Sequence, residues 1–165
     1  MMMKIIHFRM HQYIKLMIAG WVAIVAVVLL TITSAEAASA LPEITVYRDP
    51  SCSCCEGWME HLEAHGVQTN SVPTPDVDTL KQQYGVPDGL TSCHTAIVDG
   101  YIIEGHVPVE EIKRLLAEQP TVRGITVPGM PVGTPGMESG DERESFTVFS
   151  FDNQGNSEVF NHYSF

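Results

Sequence analysis

At 165 residues with 44% hydrophobic side chains, the chain can hold one domain plus a targeting segment and can bury a core, which excludes a disordered polymer. Nine Lys+Arg against 20 Asp+Glu give a formal net charge of −11. Lys4, Arg9, Lys15 and one acid, Glu36, precede residue 41, which leaves 6 basic and 19 acidic groups beyond it; that net of −13 repels phosphate backbones and excludes nucleic acid as a partner.

The first sixteen residues are basic, residues 17–33 (MIAGWVAIVAVVLLTIT) carry no charge, and the small-residue stretch SAEAASA follows to Ala40. This order predicts a secretory signal peptide over residues 1–40, cleaved after Ala37 or Ala40. An uncleaved membrane anchor is the alternative, since seventeen apolar residues just cross a bilayer. With cleavage, residues 41–165 form a single domain in the periplasm, outside the cytoplasm and free of the membrane, where thiols meet oxidants.

Residues 43–47 (EITVY) read as a strand, followed by a cysteine-rich loop. Residues 56–64 place Trp58, Met59 and Leu62 at helical spacing before a His65-Gly66 stop. Residues 67–72 read as a weaker strand, and 76–84 as a helix capped by Asp76 and closed by Gly85. Residues 95–98 and 101–104 flank Asp99-Gly100, a hairpin turn pair. Pro108 opens a helix to Glu118. Residues 124–140 (GITVPGMPVGTPGMESG) are rich in Gly and Pro and predict extended or turn structure with PGM repeated. Residues 146–151 and 158–163 read as a terminal hairpin, within 146–163, packed on the core as an appendage.

This α/β order, β-α-β-α-β-β-α, resembles the thioredoxin superfamily, whose CxxC falls between the first strand and first helix. The stretch SCHTAIVDGYIIEG is similar to a glutaredoxin segment in which a cis-proline faces the CxxC. His94 stands at the proline's place here, with Cys93 before it. The resemblance thus implies that Cys93 or His94 meets the Cys52–Cys55 loop.

Cys52-Ser-Cys-Cys55 sets three thiols in four residues at a helix start, where the macrodipole favours thiolate. Thiolates prefer Cu(I), Zn(II) or other thiophilic ions. Three readings stand: a redox CxxC of Cys52 and Cys55, structural disulfides stapling a binding module, and a metal site of Cys52, Cys54, Cys55 and Cys93. A bridge inside so short a loop closes little chain, which weighs against stapling. Nearby soft donors favour metal. His94 and His106 offer imidazole, and Met130 and Met137, each after Pro-Gly, offer thioether that suits monovalent Cu(I) or Ag(I) better than Zn(II). Plainer roles compete: gap filling for the methionines, a hydrogen-bonded polar residue for His106, and a solvated helix side for His61 and His65.

The segments YRDPSCSCCEGWMEHLEAHG, LTSCHTAIVDGYIIEGHVP and VPGMPVGTPGME resemble the periplasmic CopG-type copper-resistance proteins, long described as a domain of unknown function. The resemblance spans about residues 43–163. Ser53 stands where that family often carries Gly. It implies a thioredoxin-like copper-binding protein serving copper or silver tolerance, with Cys52, Cys54, Cys55 and Cys93 as core ligands. Adjacent Cys54 and Cys55 cannot easily both face one ion, so bridging among several Cu(I) ions is expected, with copper ions and other periplasmic copper-handling proteins as partners. The rival expectation is a periplasmic thiol–disulfide oxidoreductase with Cys52 as nucleophile and Cys55 resolving.

Overall fold

The computed structural model describes Met17, Ile18, Gly20 and Trp21 and all of residues 41–165. The expected signal segment therefore lies, but for those four positions, outside the described residues. Among the described residues no helix is long and apolar enough to cross a membrane. Residues 41–165 form one compact unit.

Its elements run β1 (Ile44–Arg48), α1 (Ser53–Ala64), β2 (Thr69–Pro73), α2 (Val77–Tyr84), a 3-10 turn (Asp88–Leu90), β3 (His94–Val98), β4 (Tyr101–Glu104), α3 (Val109–Glu118), β5 (Gly124–Thr126), β6 (Phe146–Phe151) and β7 (Ser157–Tyr163). The seven strands make one sheet in the order β2-β1-β3-β4-β5-β6-β7. β1 runs parallel to β2 and antiparallel to β3, and β3 antiparallel to β4. The fold is α/β, and through α3 its element order is the one read from the sequence.

Local signals explain most boundaries. The Asp76 carboxylate accepts the Thr79 amide at 3.0 Å, and Gly85 closes α2 in the left-handed region that a side chain would oppose. At the β3–β4 turn Asp99 and Gly100 both take positive φ, 47° and 83°, the pairing that matches hairpin twist. One face of the sheet, with Ile44, Val46, Ala96, Val98, Ile103 and Ile125, packs on α1 through Trp58 and Leu62 and on α3 through Ile112 and Leu115. Fully burying each such aliphatic side chain is worth about 1.5–3 kcal/mol, so these two helices are held mainly by that layer. A smaller cluster of Val86, Ile102 and Phe151, joined by Tyr84 and Ile97, covers the other face.

One expectation is sharpened and one changes. Gly124–Thr126, at the start of the segment read as extended or turn-forming, is extended: a strand pairing parallel with β4, Ile102 opposite Gly124. A Cβ at Gly124 would strike the Ile102 carbonyl, so the glycine marks close backbone approach and not a turn. Because β5 also pairs with β6, the C-terminal hairpin continues the main sheet instead of sitting on it as an appendage. Its outer strand is fastened to α3 by Glu111, whose Oε1 accepts from Asn161 Nδ2 at 2.6 Å and Tyr163 OH at 2.8 Å.

Candidate metal centre

α1 begins at Ser53, earlier than the apolar periodicity indicates, so Cys54 and Cys55 lie in its first turn and Cys52 caps it. Successive helical positions diverge: Cys55 points into the core, and Cys54 stays half-buried. Arg48, at the end of β1, braces the loop by donating to the Asp49 carbonyl at 3.2 Å and pairing with Glu56 of α1 at 2.9 Å.

The sheet delivers the distant cysteine. β1 and β3 are antiparallel neighbours with Arg48 opposite His94, so the chain leaving β1 and the residue entering β3 share one sheet end. Cys93 is that residue. Its Sγ lies 3.6 Å from Cys55 Sγ and 3.9 Å from Cys54 Sγ, and Cys54 Sγ lies 3.5 Å from Cys52 Sγ. One difference meets the four-thiolate expectation. Cys52 and Cys55 are joined as a disulfide, their Cα atoms 5.4 Å apart, while Cys54 and Cys93 are free. Cap position and first turn bring these two Cα atoms within ordinary disulfide range. A two-electron reduction converts the pair to thiols and completes a four-sulfur set; the donor atoms of Cys52, Cys54, Cys55 and Cys93 already lie within 4.8 Å of one another.

Cys93 also faces two imidazoles. His106 Nε2 is 3.0 Å and His94 Nδ1 3.3 Å from its sulfur, and these three residues form a second donor group within 4.8 Å. His106 Nδ1 donates to the Pro135 carbonyl at 2.7 Å, so its Nε2 carries the lone pair turned toward Cys93. His94 is fully buried, its ring centroid 4.4 Å from that of Trp58, and its Nε2 has no hydrogen-bond partner. Trp58 is itself fixed by donating Nε1 to the Val107 carbonyl at 2.9 Å. Burial, then the neighbouring Cys54, pushes the Cys93 thiol up to about 12. Burial likewise lowers His94 far below, and His106 below, the ordinary imidazole value. Burial thus favours the neutral forms of Cys93, His94 and His106, and a cation binding at Cys93 must displace its proton.

The Gly/Pro-rich segment lies along this centre. Gly136 packs so closely on α1 that an added Cβ would stand 2.5 Å from the Trp58 amide nitrogen and 2.6 Å from the Cys54 carbonyl oxygen. Earlier in the segment, Gly129 donates its amide to Thr91 O at 2.9 Å and accepts from the Ser92 hydroxyl. These contacts run the segment past both cysteine-bearing elements and carry Met130 and Met137 with it; Met130 is 52% exposed, Met137 half-buried. His61, on α1, and His65, which caps its C-terminal end, belong to neither donor group; His65 Nδ1 donates to the His61 carbonyl at 2.7 Å. Their i, i+4 spacing is a helix-side neighbour pair.

Two residues near the centre escape sequence reasoning: Lys81 and Glu104 form a buried ion pair at 2.7 Å directly behind Cys93. The signal was a lysine four residues after buried Val77, on the same face of α2, and a glutamate ending the apolar strand YIIE.

The comparisons with known proteins agree with this geometry. A family model described as protein of unknown function DUF411 matches residues 90–137, the stretch carrying Cys93, His94, His106 and both Pro-Gly-Met repeats. Two solved forms of a copper resistance protein CopG are similar along nearly their full length. Form 2 is 40% identical with a TM-score of 0.72, covering 75% of this chain and 99% of that one. Form 1 is 41% identical with a TM-score of 0.71, covering 74% and 98%. No curated protein matches the chain.

Proposed function

The chain belongs to the CopG family of copper resistance proteins, and from that membership we propose that it binds Cu(I) through Cys52, Cys54, Cys55 and Cys93 once the Cys52–Cys55 disulfide is reduced. One observation carries the reading. Cys93 Sγ stands at the meeting point of two donor groups, three cysteines on one side and two imidazoles on the other. Soft sulfur with imidazole suits Cu(I), or Ag(I), better than hard cations. A thiolate shared by two donor groups is placed to bridge ions, which supports more than one copper per chain with His94 and His106 as terminal donors. Met130 and Met137 are assigned the rim, as thioether donors for an ion entering or leaving. The 2-1-3-4 order of the first four strands, with the cysteine loop between β1 and α1, supports a thioredoxin-like core.

The test is anaerobic titration of the reduced residues 41–165 with Cu(I), reading metal content and protected thiols together. More than one copper retained per chain, with all four cysteines shielded from alkylation, is the expected result. Two shielded thiols, or no retained copper, overturns the proposal.

The Cys52–Cys55 bond itself favours a second reading, a thiol–disulfide oxidoreductase in which Cys52 is attacked or attacks and Cys55 resolves. The two differ in what Cys54 does.

The basic, apolar, small-residue order of residues 1–40 supports a periplasmic site of action after signal cleavage. Intact mass of the natively expressed protein should show an N-terminus at Ala38 or Leu41 in the periplasmic fraction. A full-length chain in the membrane fraction would establish an anchor instead.

A further inference from the structure

Glu104 ends β4 with its side chain fully buried, yet both oxygens of its carboxylate are hydrogen-bonded. Oε1 accepts from Lys81 Nζ at 2.7 Å and from the Ser92 amide at 2.6 Å. Oε2 accepts from the Thr95 hydroxyl at 2.6 Å, and Lys81 Nζ donates to that same hydroxyl at 3.1 Å. Ser92 and Thr95 are the residues on either side of Cys93–His94. One carboxylate therefore grips the turn at both ends. The Glu104 main chain then leads in two residues to His106, and between them Gly105 donates its amide to the His94 carbonyl at 3.0 Å. Gly105 lies so near Ser92 that a Cβ would strike the Ser92 side chain and the Val127 carbonyl.

Burying an ion pair is costly: each ion loses several kcal/mol of solvation, and apolar replacements of like volume are often as stable or more so. The pair lies on the sheet face that also carries the apolar side chains of Ile97, Ile102 and Phe151. What this pair does, beyond filling space, is fix the main chain on both sides of one cysteine and one imidazole.

We propose that Glu104, held in place by Lys81, is the positioning residue for Cys93: by clamping Ser92 and Thr95 it stands the Cys93 sulfur against His106 Nε2 and the loop sulfurs. The inference rests on Cys93 serving copper, as proposed above. Outer partners that orient ligands are worth about 10–100-fold in metal affinity, although they never touch the ion.

A cycle with Cys93→Ser separates positioning from general stability. In the reduced chain, Glu104→Gln should weaken Cu(I) binding about tenfold against a competing chelator. It should also raise the rate at which iodoacetamide alkylates Cys93, with Cys54 unchanged. In the Cys93→Ser background the same substitution should leave residual affinity untouched, because its route to the metal is gone. An equal penalty in both backgrounds, or no penalty in the first, overturns the inference. Should Glu104→Gln fail to fold, Thr95→Val removes one gripping hydroxyl without unpairing a charge, and the same outcomes apply to it. A Cys93→Ser chain that binds copper as tightly as the parent would instead overturn the copper site; the alkylation rate of Cys93, which needs no metal, still decides the role of Glu104.

Discussion

Replacing Cys93 by Ser should weaken Cu(I) binding on the order of 100-fold or more and lower the copper retained per chain, with the fold kept. The size follows from position. Cys93 is the single residue common to both donor groups, so its loss removes a ligand from the cysteine set and from the imidazole set at once. Changes to residues that only orient a ligand reach about 10–100-fold, and loss of a thiolate that bridges ions, the role proposed for Cys93, should exceed them. The fold should survive because Cys93 is only half-buried, precedes β3 instead of lying in it, and is nearly isosteric with serine. Chelator competition gives the affinity, metal analysis the stoichiometry, and circular dichroism the fold. Parent-like copper content in a folded Cys93→Ser chain would confine any site to the three loop cysteines and move the oxidoreductase reading ahead.

Much of this centre was legible in the sequence for local reasons. The Asp76 cap, the Gly85 stop and the Asp99-Gly100 turn act within a few residues, and each holds its expected place. Cys54 and Cys55 were readable as helix-start thiols because dipole and spacing are likewise local. β5 was legible only as extended or turn-forming chain, since three residues beginning with glycine carry no periodicity; its place as a strand comes from β4 and β6 on either side. Cys93 meets the loop through the β1–β3 register, Arg48 opposite His94, which no local pattern encodes. It was anticipated only through likeness to a glutaredoxin segment. No cis peptide bond accompanies His94 at the proline's place: among the described residues there is none. Lys81 and Glu104 were passed over because 23 residues separate them, and a lone charge on an apolar face has no visible partner until the chain is folded.

Cys54 is where the two functional readings part, and Cys54→Ser should cost copper about as much as Cys55→Ser does. In the structure Cys54 Sγ lies between its neighbours, 3.5 Å from Cys52 Sγ and 3.9 Å from Cys93 Sγ. In the reduced protein it is therefore placed to link the loop to Cys93, and its loss should remove at least one bound copper. The disulfide, by contrast, joins Cys52 to Cys55 and leaves Cys54 free. Thiol–disulfide exchange needs the attacking sulfur and the resolving one, and Cys54 is neither. The two substitutions thus form a matched pair: Cys55→Ser abolishes the disulfide and injures the metal site, whereas Cys54→Ser spares the disulfide and injures the metal site alone. Copper stoichiometry and the rate of exchange with a small dithiol, measured on both variants, give a two-way outcome. Parallel loss of copper with exchange surviving only in Cys54→Ser supports the metal centre. Full copper content in Cys54→Ser would make that cysteine a bystander, and the chain an oxidoreductase whose sulfurs of consequence are Cys52 and Cys55.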